Sequence, residues 1–295
     1  MRPNKSLRNL RVYPFNSSIL KISIVLVATI LTPAVVKASD FHSPRTAALG
    51  GAGHAGPLLN DAVFLNPSFV SFLPVYSISW SFDKYSGTSA DTRGRNYSLS
   101  ILDGKSEMFQ AGVAHTLRED GTFIHFGASK AVSKQLGVGI GGKFFMPTGS
   151  RTPENEAIVS MTFVPKEWLL AVAVIDNAME SPESRARGRY REFIFGTKFE
   201  ASKQLYFYFD PHFKPTLTSG RYGYEAGVEV SAFKDFYLRG GMFRNSRVPS
   251  ASEQGRGYGT GFGWVAPKIS FDYAVQRVIT PRSSTGHVFG TTIYF

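Results

Sequence analysis

The amino-acid sequence predicts an all-β protein, a transmembrane antiparallel β-barrel of about fourteen strands. Three observations support this fold class. Apolar and polar residues alternate with a period of two in segments of about ten residues, the length of a membrane-crossing strand. Aromatic residues make up 14% of the chain and charged residues only 19%, a composition that disfavours disorder and a soluble helical bundle. Long and short connections alternate between the segments, as they do in outer-membrane barrels.

Residues 1–38 have the order of a secretory signal peptide. A basic stretch without acidic residues is followed by an apolar run over 22–36, and Val36 and Ala38 mark a cleavage site near Ala38. The run is short for a membrane helix, which needs about 20 residues. Cleavage removes six basic residues and leaves 27 basic against 22 acidic ones, a net charge of +5 instead of +11. The remaining basic residues are scattered, so we expect no nucleic-acid partner.

Residues 39–74 do not alternate and differ in composition from the rest. They contain a glycine cluster (Gly50, Gly51, Gly53 and Gly56), then Asn60-Asp61-Ala62, then Asn66-Pro67 directly before the first strand segment. Asn-Pro is a turn signal with a physical basis, but it is unspecific by itself. We therefore treat 39–74 as a segment separate from the strands of 75–295.

Fourteen strand segments follow. They are predicted to begin near residues 75, 93, 108, 122, 136, 155, 168, 188, 205, 221, 236, 256, 268 and 286. The registers within 118–135 and 178–215 are ambiguous, so twelve strands is the alternative. The apolar face is predicted to face lipid, because the other face carries polar residues such as Glu225, Glu229 and Arg239, and because Tyr and Trp recur near strand ends. A secreted soluble β protein is the alternative to a membrane barrel.

The chain ends on alternating residues that include Ile293 and Phe295. This ending resembles the C-terminal signature of bacterial outer-membrane proteins that the barrel-assembly machinery reads. We therefore expect that machinery and outer-membrane lipid to be partners of the chain.

The segment 39–74 resembles the start of the FadL-like outer-membrane transporters of long-chain fatty acids and other hydrophobic compounds. The matching residues are Arg45, Leu49, Gly50, Gly51, Ala52, Asn60, Asp61, Ala62, Asn66 and Pro67. The resemblance implies that 39–74 form a hatch in the lumen of a fourteen-stranded barrel in the outer membrane of a Gram-negative bacterium. Ser68 stands where the family has alanine, and the long outer loops of the family's initial binding groove are missing. The resemblance therefore supports the fold more than the transport activity.

The function implied by this resemblance is a passive channel for small hydrophobic molecules such as fatty acids. Lumen-facing aromatic residues, chosen by parity along their strands, are candidate ligand contacts: Tyr206, Tyr208, Tyr237 and Phe243. Glycines at 137, 139 and 141 and along 257–263 are expected to make room for the hatch, the alternative being that they ease strand twist. The rival functions are a structural or secretion-associated barrel without transport and, third, a lipid-modifying outer-membrane enzyme.

The sequence offers no strong catalytic, metal or cofactor motif, so we predict that the chain is not an enzyme. It has no cysteine, and none of its six histidines has metal-type spacing. His125 and Ser129 share one face of a strand but lack a nucleophile motif around the serine. Glu225 and Glu229 lie about 13 Å apart along a strand, wide for a glycosidase pair, and a ladder with Arg239 and Lys198 explains them better.

Overall fold

The computed structural model describes residues 43–88, 92–149, 152–186, 188–248 and 254–295, so the predicted signal peptide lies outside the described residues. Within these residues, fourteen antiparallel strands form a closed barrel in which each strand pairs with its sequence neighbours and β1 pairs with β14. The strands are β1 (Tyr76–Gly87), β2 (Gly94–Asp103), β3 (Gln110–Arg118), β4 (Gly121–Ala131), β5 (Leu136–Pro147), β6 (Glu154–Lys166), β7 (Leu169–Asp176), β8 (Glu192–Ser202), β9 (Leu205–Phe213), β10 (Tyr222–Phe233), β11 (Phe236–Arg247), β12 (Gln254–Val265), β13 (Ile269–Thr280) and β14 (Ser284–Tyr294).

The strand count and the strand positions confirm the sequence prediction. Each predicted start lies within four residues of the observed one, and the largest difference is at β8. The ambiguous segment 118–135 forms a tight hairpin in which Arg118 pairs with Gly121. The twelve-strand alternative is therefore wrong.

The two faces of the wall differ in polarity as predicted. Along β1, Tyr76 and Trp80 are each 42% exposed on the outside, whereas Ser77 and Ser81, the residues that follow them, are buried. The same pattern places large apolar side chains outward on every side of the barrel, with Ile101, Ile140, Phe195 and Phe262 as examples. This outer surface is the apolar band that a membrane barrel presents to lipid.

The two ends of the barrel have different connections. The end that holds the start of β1 and the end of β14 has the turns 104–109, 132–135, 167–168, 203–204, 234–235 and 266–268. The opposite end has the longer connections 177–191, which contains α3 (Pro182–Ala186), and 214–221, but also the tight turns 119–120 and 281–283. Short turns mark the periplasmic end of outer-membrane barrels, so both ends of the strand series lie there.

The hatch, residues 43–74 as described, precedes β1 and consists of α1 (Pro44–Ala48), α2 (Asp61–Leu65) and a 3₁₀ helix (Pro67–Phe72). Ser43 begins α1 by accepting a hydrogen bond from the Thr46 amide at 3.1 Å. Gly50 and Gly51 end it with φ of +69° and +94°, which residues with a side chain rarely adopt. No helix among the described residues is long and apolar enough to cross a membrane.

The hatch packs against the inside of the wall on several sides. Ala62, Val63 and Val70 form one buried cluster with Leu102 and Ala114 of β2 and β3. Two further clusters join Ala47 and Ala48 to Ala274 and Val288, and Ala55 to Ile158, Val172, Val174 and Ile194. Small apolar hatch residues thus fill the lumen that the barrel encloses.

Candidate functional site: the hatch and the lumen wall

Glycines of the wall form the seats on which the hatch backbone rests. A Cβ built on Gly259 would lie 1.8 Å from the Ala47 carbonyl oxygen, and one on Gly139 would lie 2.3 Å from the Ser68 nitrogen. Such distances are far inside van der Waals contact, so a side chain at these positions excludes the hatch. Other wall glycines that meet the hatch in the same way are Gly112, Gly127, Gly137, Gly141, Gly227, Gly241, Gly261 and Gly290.

The prediction that lumen glycines make room for the hatch is therefore confirmed for 137, 139, 141, 259 and 261. It is wrong for Gly257 and Gly263. A Cβ at Gly257 would meet the Phe243 ring, and one at Gly263 would meet Asp272 and Arg239, all of which belong to the wall. These two glycines lie toward the strand ends, where neighbouring side chains of the wall fold over them.

Arg45 of α1 ties the hatch to β9 and β10. Its Nε lies 3.1 Å from Glu229 Oε2, its Nη2 donates to the Tyr208 hydroxyl at 2.7 Å, and its Nη1 donates to the Gly56 carbonyl at 3.2 Å. Burial opposes the charged form, but the charge of Glu229 outweighs it and raises the pKa of Arg45 above its ordinary value. Arg45 is therefore held as a buried cation.

Glu229 binds a second arginine, which comes from the neighbouring strand β11 of the wall. Arg239 donates its Nε to Glu229 Oε2 at 2.6 Å and contacts Asp272 Oδ1 at 2.5 Å. We expected Glu229 and Glu225 to form a ladder of charged side chains with Arg239. Glu225 instead points toward Asp210, its direct partner across the β9–β10 pair.

His54 of the hatch lies between these two carboxylates. Its Nδ1 is 2.9 Å from Asp210 Oδ2, which also accepts hydrogen bonds from the amides of Gly53 at 2.8 Å and His54 at 3.0 Å. Burial lowers the pKa of His54, but the hydrogen bond and charge of Asp210, with Glu225 adding to them, raise it overall. One ligand atom from each of His54, Asp210 and Glu225 lies within 4.8 Å of the others.

The Asn60-Asp61-Ala62 element lies against β1 and α1. Ser77 donates to Asn60 Oδ1 at 2.6 Å, and Ser43 donates to Asp61 Oδ2 at 2.7 Å. Burial raises the pKa of Asp61 to about 7, although the Ser43 hydrogen bond and the charge of Arg45 lower it in part. A polar cavity of ≈ 30 Å³ borders Asn60 and Asp61, a size that suits ~2 water molecules.

The Asn66-Pro67 element fixes the end of the hatch to β6. Asn66 Nδ2 donates to Thr162 Oγ1 at 2.9 Å and to the His54 carbonyl at 3.0 Å. Ser68 contacts Thr162 Oγ1 at 2.7 Å and donates its hydroxyl to Asn66 Oδ1 at 2.6 Å. The Ser68 hydroxyl thus adds one hydrogen bond between hatch and wall and one within the hatch.

The four aromatic residues chosen as ligand contacts all lie on the lumen side, but in different surroundings. Tyr208 is buried and donates to Glu229 at 3.0 Å, so it belongs to the Arg45 network. Phe243 is buried against Val248 and Val278 of the wall. Tyr206 and Tyr237 are only partly buried. The role of all four as ligand contacts remains a prediction.

A second group of charges fills the lumen toward the long-connection end, and sequence reasoning missed it. Lys143 lies 2.7 Å from Asp176, and Lys214 lies 2.6 Å from Glu192. Arg247 contacts both acids, at 3.4 Å and 3.6 Å. These residues come from four strands and the connection after β9, so only barrel closure brings them together.

His125 and Ser129 show no catalytic arrangement. His125 is buried, and its ring lies 4.9 Å from the Phe64 ring of the hatch and 5.5 Å from the Phe123 ring. His125 therefore packs against the hatch. This position on the lumen side agrees with the prediction that His125 faces the lumen.

The C-terminal residues lie at the periplasmic end of the barrel. The Phe295 amide donates to the Tyr76 carbonyl at 2.9 Å, and the Phe295 side chain is exposed. Ile293 is exposed on the outer, lipid-facing side. Recognition of these residues by the barrel-assembly machinery remains a prediction.

Comparisons with solved structures show the same architecture. The Ralstonia pickettii toluene transporter TbuX is 11% identical, with 87% of this chain and 99% of that chain covered and a TM-score of 0.64. The Pseudomonas putida toluene transporter TodX is 9% identical, with 88% and 99% covered and a TM-score of 0.60. A Pseudomonas aeruginosa FadL homologue is 11% identical, with 88% and 99% covered and a TM-score of 0.55. No family model matches the sequence, and neither does any curated protein.

The chain therefore has the fold of the FadL-like outer-membrane transporters, as the sequence motifs predicted. It is a β-barrel that matches bacterial outer-membrane proteins. At identities near one residue in ten, the likeness establishes the fold and leaves the substrate open.

Proposed function

We propose that this chain is a passive outer-membrane channel for small hydrophobic molecules, closed by the hatch. The observation that supports the proposal most directly is the seating of the hatch. Ten wall glycines lie directly against hatch backbone or side-chain atoms, and Arg45 and His54 tie the hatch to lumen carboxylates. So many close contacts between the wall and the hatch indicate that the hatch has a function in the lumen. The solved structures with this fold include two toluene transporters.

The route of the ligand passes the hatch in this proposal. In the docked state the hatch fills the lumen, so passage requires hatch movement or lateral exit through the wall into lipid. Tyr206 and Tyr237 are partly exposed lumen residues near the periplasmic end. Aromatic rings there offer an apolar surface with a polar edge, which suits a hydrophobic ligand leaving the barrel.

Uptake into liposomes that contain the refolded mature chain tests this function. Entry of toluene or of a long-chain fatty acid is compared with entry of a small sugar, for the wild type and for Arg45→Met. Hydrophobic-ligand entry that Arg45→Met increases would support the channel. Sugar entry would indicate an open porin-like pore, and entry of neither would move the function to the rival below.

A structural or secretion-associated role is the second candidate. The observation in its favour is the compactness of the connections at the outer end, where the only helix among the described residues is α3. A partner protein that co-purifies with the wild type would support this role, provided that the liposome assay shows no uptake.

A further inference from the structure

His54, Asp210 and Glu225 come from three separate parts of the chain: the hatch, β9 and β10. Asp210 and Glu225 are direct cross-strand partners. Like charges at directly opposed positions repel one another and destabilise the pair unless a cation lies near them. A positive charge must therefore offset the repulsion between the Asp210 and Glu225 carboxylates at this point of the lumen.

No Lys or Arg compensates them among the described residues. The nearby basic side chains of His212, Lys214 and Arg247 are paired with Glu192 instead. Within the part of the chain that the structure describes, Asp210 makes an ion pair with His54 alone, and the Glu225 side chain makes no hydrogen bond or ion pair. A protonated His54 carries one positive charge against two negative ones, so it leaves the group at −1.

One oxygen of the Asp210 carboxylate accepts hydrogen bonds, and the other has no hydrogen-bond partner among the described residues. Asp210 is fully buried, and Oδ2 accepts the hydrogen bonds of the Gly53 and His54 amides. Oδ1 has no hydrogen-bond donor among the described residues. A buried carboxylate with an oxygen that lacks a donor is costly, and a cation bound to the same carboxylate lowers this cost.

We infer that His54, Asp210 and Glu225 bind one divalent transition-metal ion, with Zn²⁺ as the representative, which fastens the hatch to the lumen wall. The ligand set of one imidazole nitrogen and two carboxylate oxygens suits Zn²⁺ and related ions better than Ca²⁺ or Mg²⁺, which prefer oxygen ligands throughout. The charge of +2 balances both carboxylates when His54 is neutral. Zn²⁺ replaces the proton that His54 shares with Asp210.

The distances fit such a site after a small adjustment. Two ligands at about 2.1 Å from a tetrahedral ion are roughly 3.4 Å apart. His54 Nδ1 and Asp210 Oδ2 are 2.9 Å apart, and all three ligand atoms lie within 4.8 Å. Glu225 has to approach by at most about 1.4 Å, the difference between 4.8 Å and 3.4 Å, and its side chain is held by no partner in the described residues. Gly51 keeps this space open, since a Cβ there would lie 2.7 Å from the Glu225 carboxyl carbon.

The test is a zinc titration of the full refolded chain in detergent, after EDTA treatment and dialysis. Calorimetry and elemental analysis measure affinity and stoichiometry for the wild type, Glu225→Gln and His54→Gln. Glu225→Gln is the decisive variant, because it keeps the side-chain shape and breaks no hydrogen bond seen in the structure. His287→Gln is the matched control, since His287 lies on the outer face and bonds to the Tyr273 hydroxyl at 2.8 Å.

The expected result is one Zn²⁺ per chain, bound at least about tenfold more weakly by Glu225→Gln and His54→Gln and unchanged in His287→Gln. Zn²⁺ should also raise the melting temperature of the wild type and not that of Glu225→Gln. A wild type without stoichiometric zinc, or equal binding by Glu225→Gln, would overturn the proposal. Binding is measured without transport, so this result is independent of the liposome assay.

Discussion

Substitutions at two adjacent glycines of β11 can distinguish a loss of hatch docking from a general effect of alanine on the strand. Gly241 faces the hatch, and a Cβ there would lie 2.1 Å from the Leu49 carbonyl carbon and oxygen and 2.7 Å from the Gly50 nitrogen. Gly240 faces outward, and a Cβ there would meet only the Gly259 oxygen at 4.0 Å. We therefore compare Gly241→Ala with Gly240→Ala, which add the same methyl group to opposite faces.

The magnitude follows from the displacement that the methyl group forces. An ordinary contact needs about 3.4 Å or more, so the hatch backbone at Leu49 has to move by roughly 1.3 Å. A shift of that size carries Arg45 out of hydrogen-bond range of Tyr208 and Glu229, which now lie at 2.7 Å and 3.1 Å. Overpacking of this kind costs about 1–3 kcal/mol. The ratio of docked to undocked hatch should therefore fall by about 5- to 150-fold in Gly241→Ala.

A thiol introduced into the hatch measures this ratio. The chain has no cysteine, so Ala55→Cys, at a fully buried hatch position, gives one thiol that reacts when the hatch undocks. We expect Gly241→Ala to raise the labelling rate of this thiol by the same 5- to 150-fold and Gly240→Ala to leave it unchanged. Circular dichroism checks that both barrels are folded. Equal labelling rates in the two variants would refute the assignment of Gly241 as a hatch seat.

Three further predictions use the same background. Arg45→Met should weaken hatch docking by about 3 kcal/mol, because Glu229 loses one of its two buried cations, and an unchanged labelling rate would contradict this. Burial raises the pKa of Asp61 from 3.8 to about 7 in the docked hatch. Between these two pH values the docked hatch binds more protons than the undocked one. Docking should therefore weaken as the pH rises from about 4 to 7. Asp61→Asn should flatten this profile of labelling rate against pH, and parallel profiles would show that another group titrates. Ile140→Arg, on the outer face of β5, should destabilise the barrel by about 2–4 kcal/mol in urea unfolding, whereas Gly139→Arg should displace the hatch at Ser68 and leave the lipid face intact. Equal barrel destabilisation by both would contradict the face assignment.

The barrel itself could be predicted from the sequence because strand faces are a local property. Alternation in β1 shows that Tyr76 and Ser77 lie on opposite faces without knowledge of any other strand. Parity also placed the seat glycines at 139 and 259 on the lumen face. It could not show how far along each strand the hatch reaches, which is why Gly257 and Gly263 were assigned to the hatch in error.

The polar contacts of the site depend on barrel closure and were harder to predict. Glu229 and Arg239 are cross-strand partners in one hairpin, so their ladder could be inferred from neighbouring strands. Asp210 and Glu225 are also hairpin partners, so the register of β9 against β10 is enough to bring their carboxylates together. Nothing local in the sequence links either pair to Arg45 or His54, because the hatch reaches them only after the barrel has closed around it.

Both halves of the hatch pack apolar side chains against the wall, but among the described residues only the first half adds buried ion pairs, and this difference indicates which half moves. Residues 43–56 are fastened to β9 and β10 through buried charges, namely Arg45 on Glu229 and His54 on Asp210. Residues 60–74 are fastened to β1 through β6 by apolar packing around Val63 and by neutral hydrogen bonds such as Asn66 to Thr162.

Charged contacts respond to protons and cations, whereas apolar packing and neutral hydrogen bonds respond little to either. The half with neutral contacts is also the half joined covalently to β1. Asp61 lies in the second half, but its carboxylate accepts a hydrogen bond from Ser43 of the first half, so its titration acts on the attachment of residues 43–56. A change in pH or metal occupancy should therefore release residues 43–56 while 60–74 stay in place. Opening by this route needs only the charged half to leave the lumen, so a thiol at position 55 should become reactive well before one at position 63.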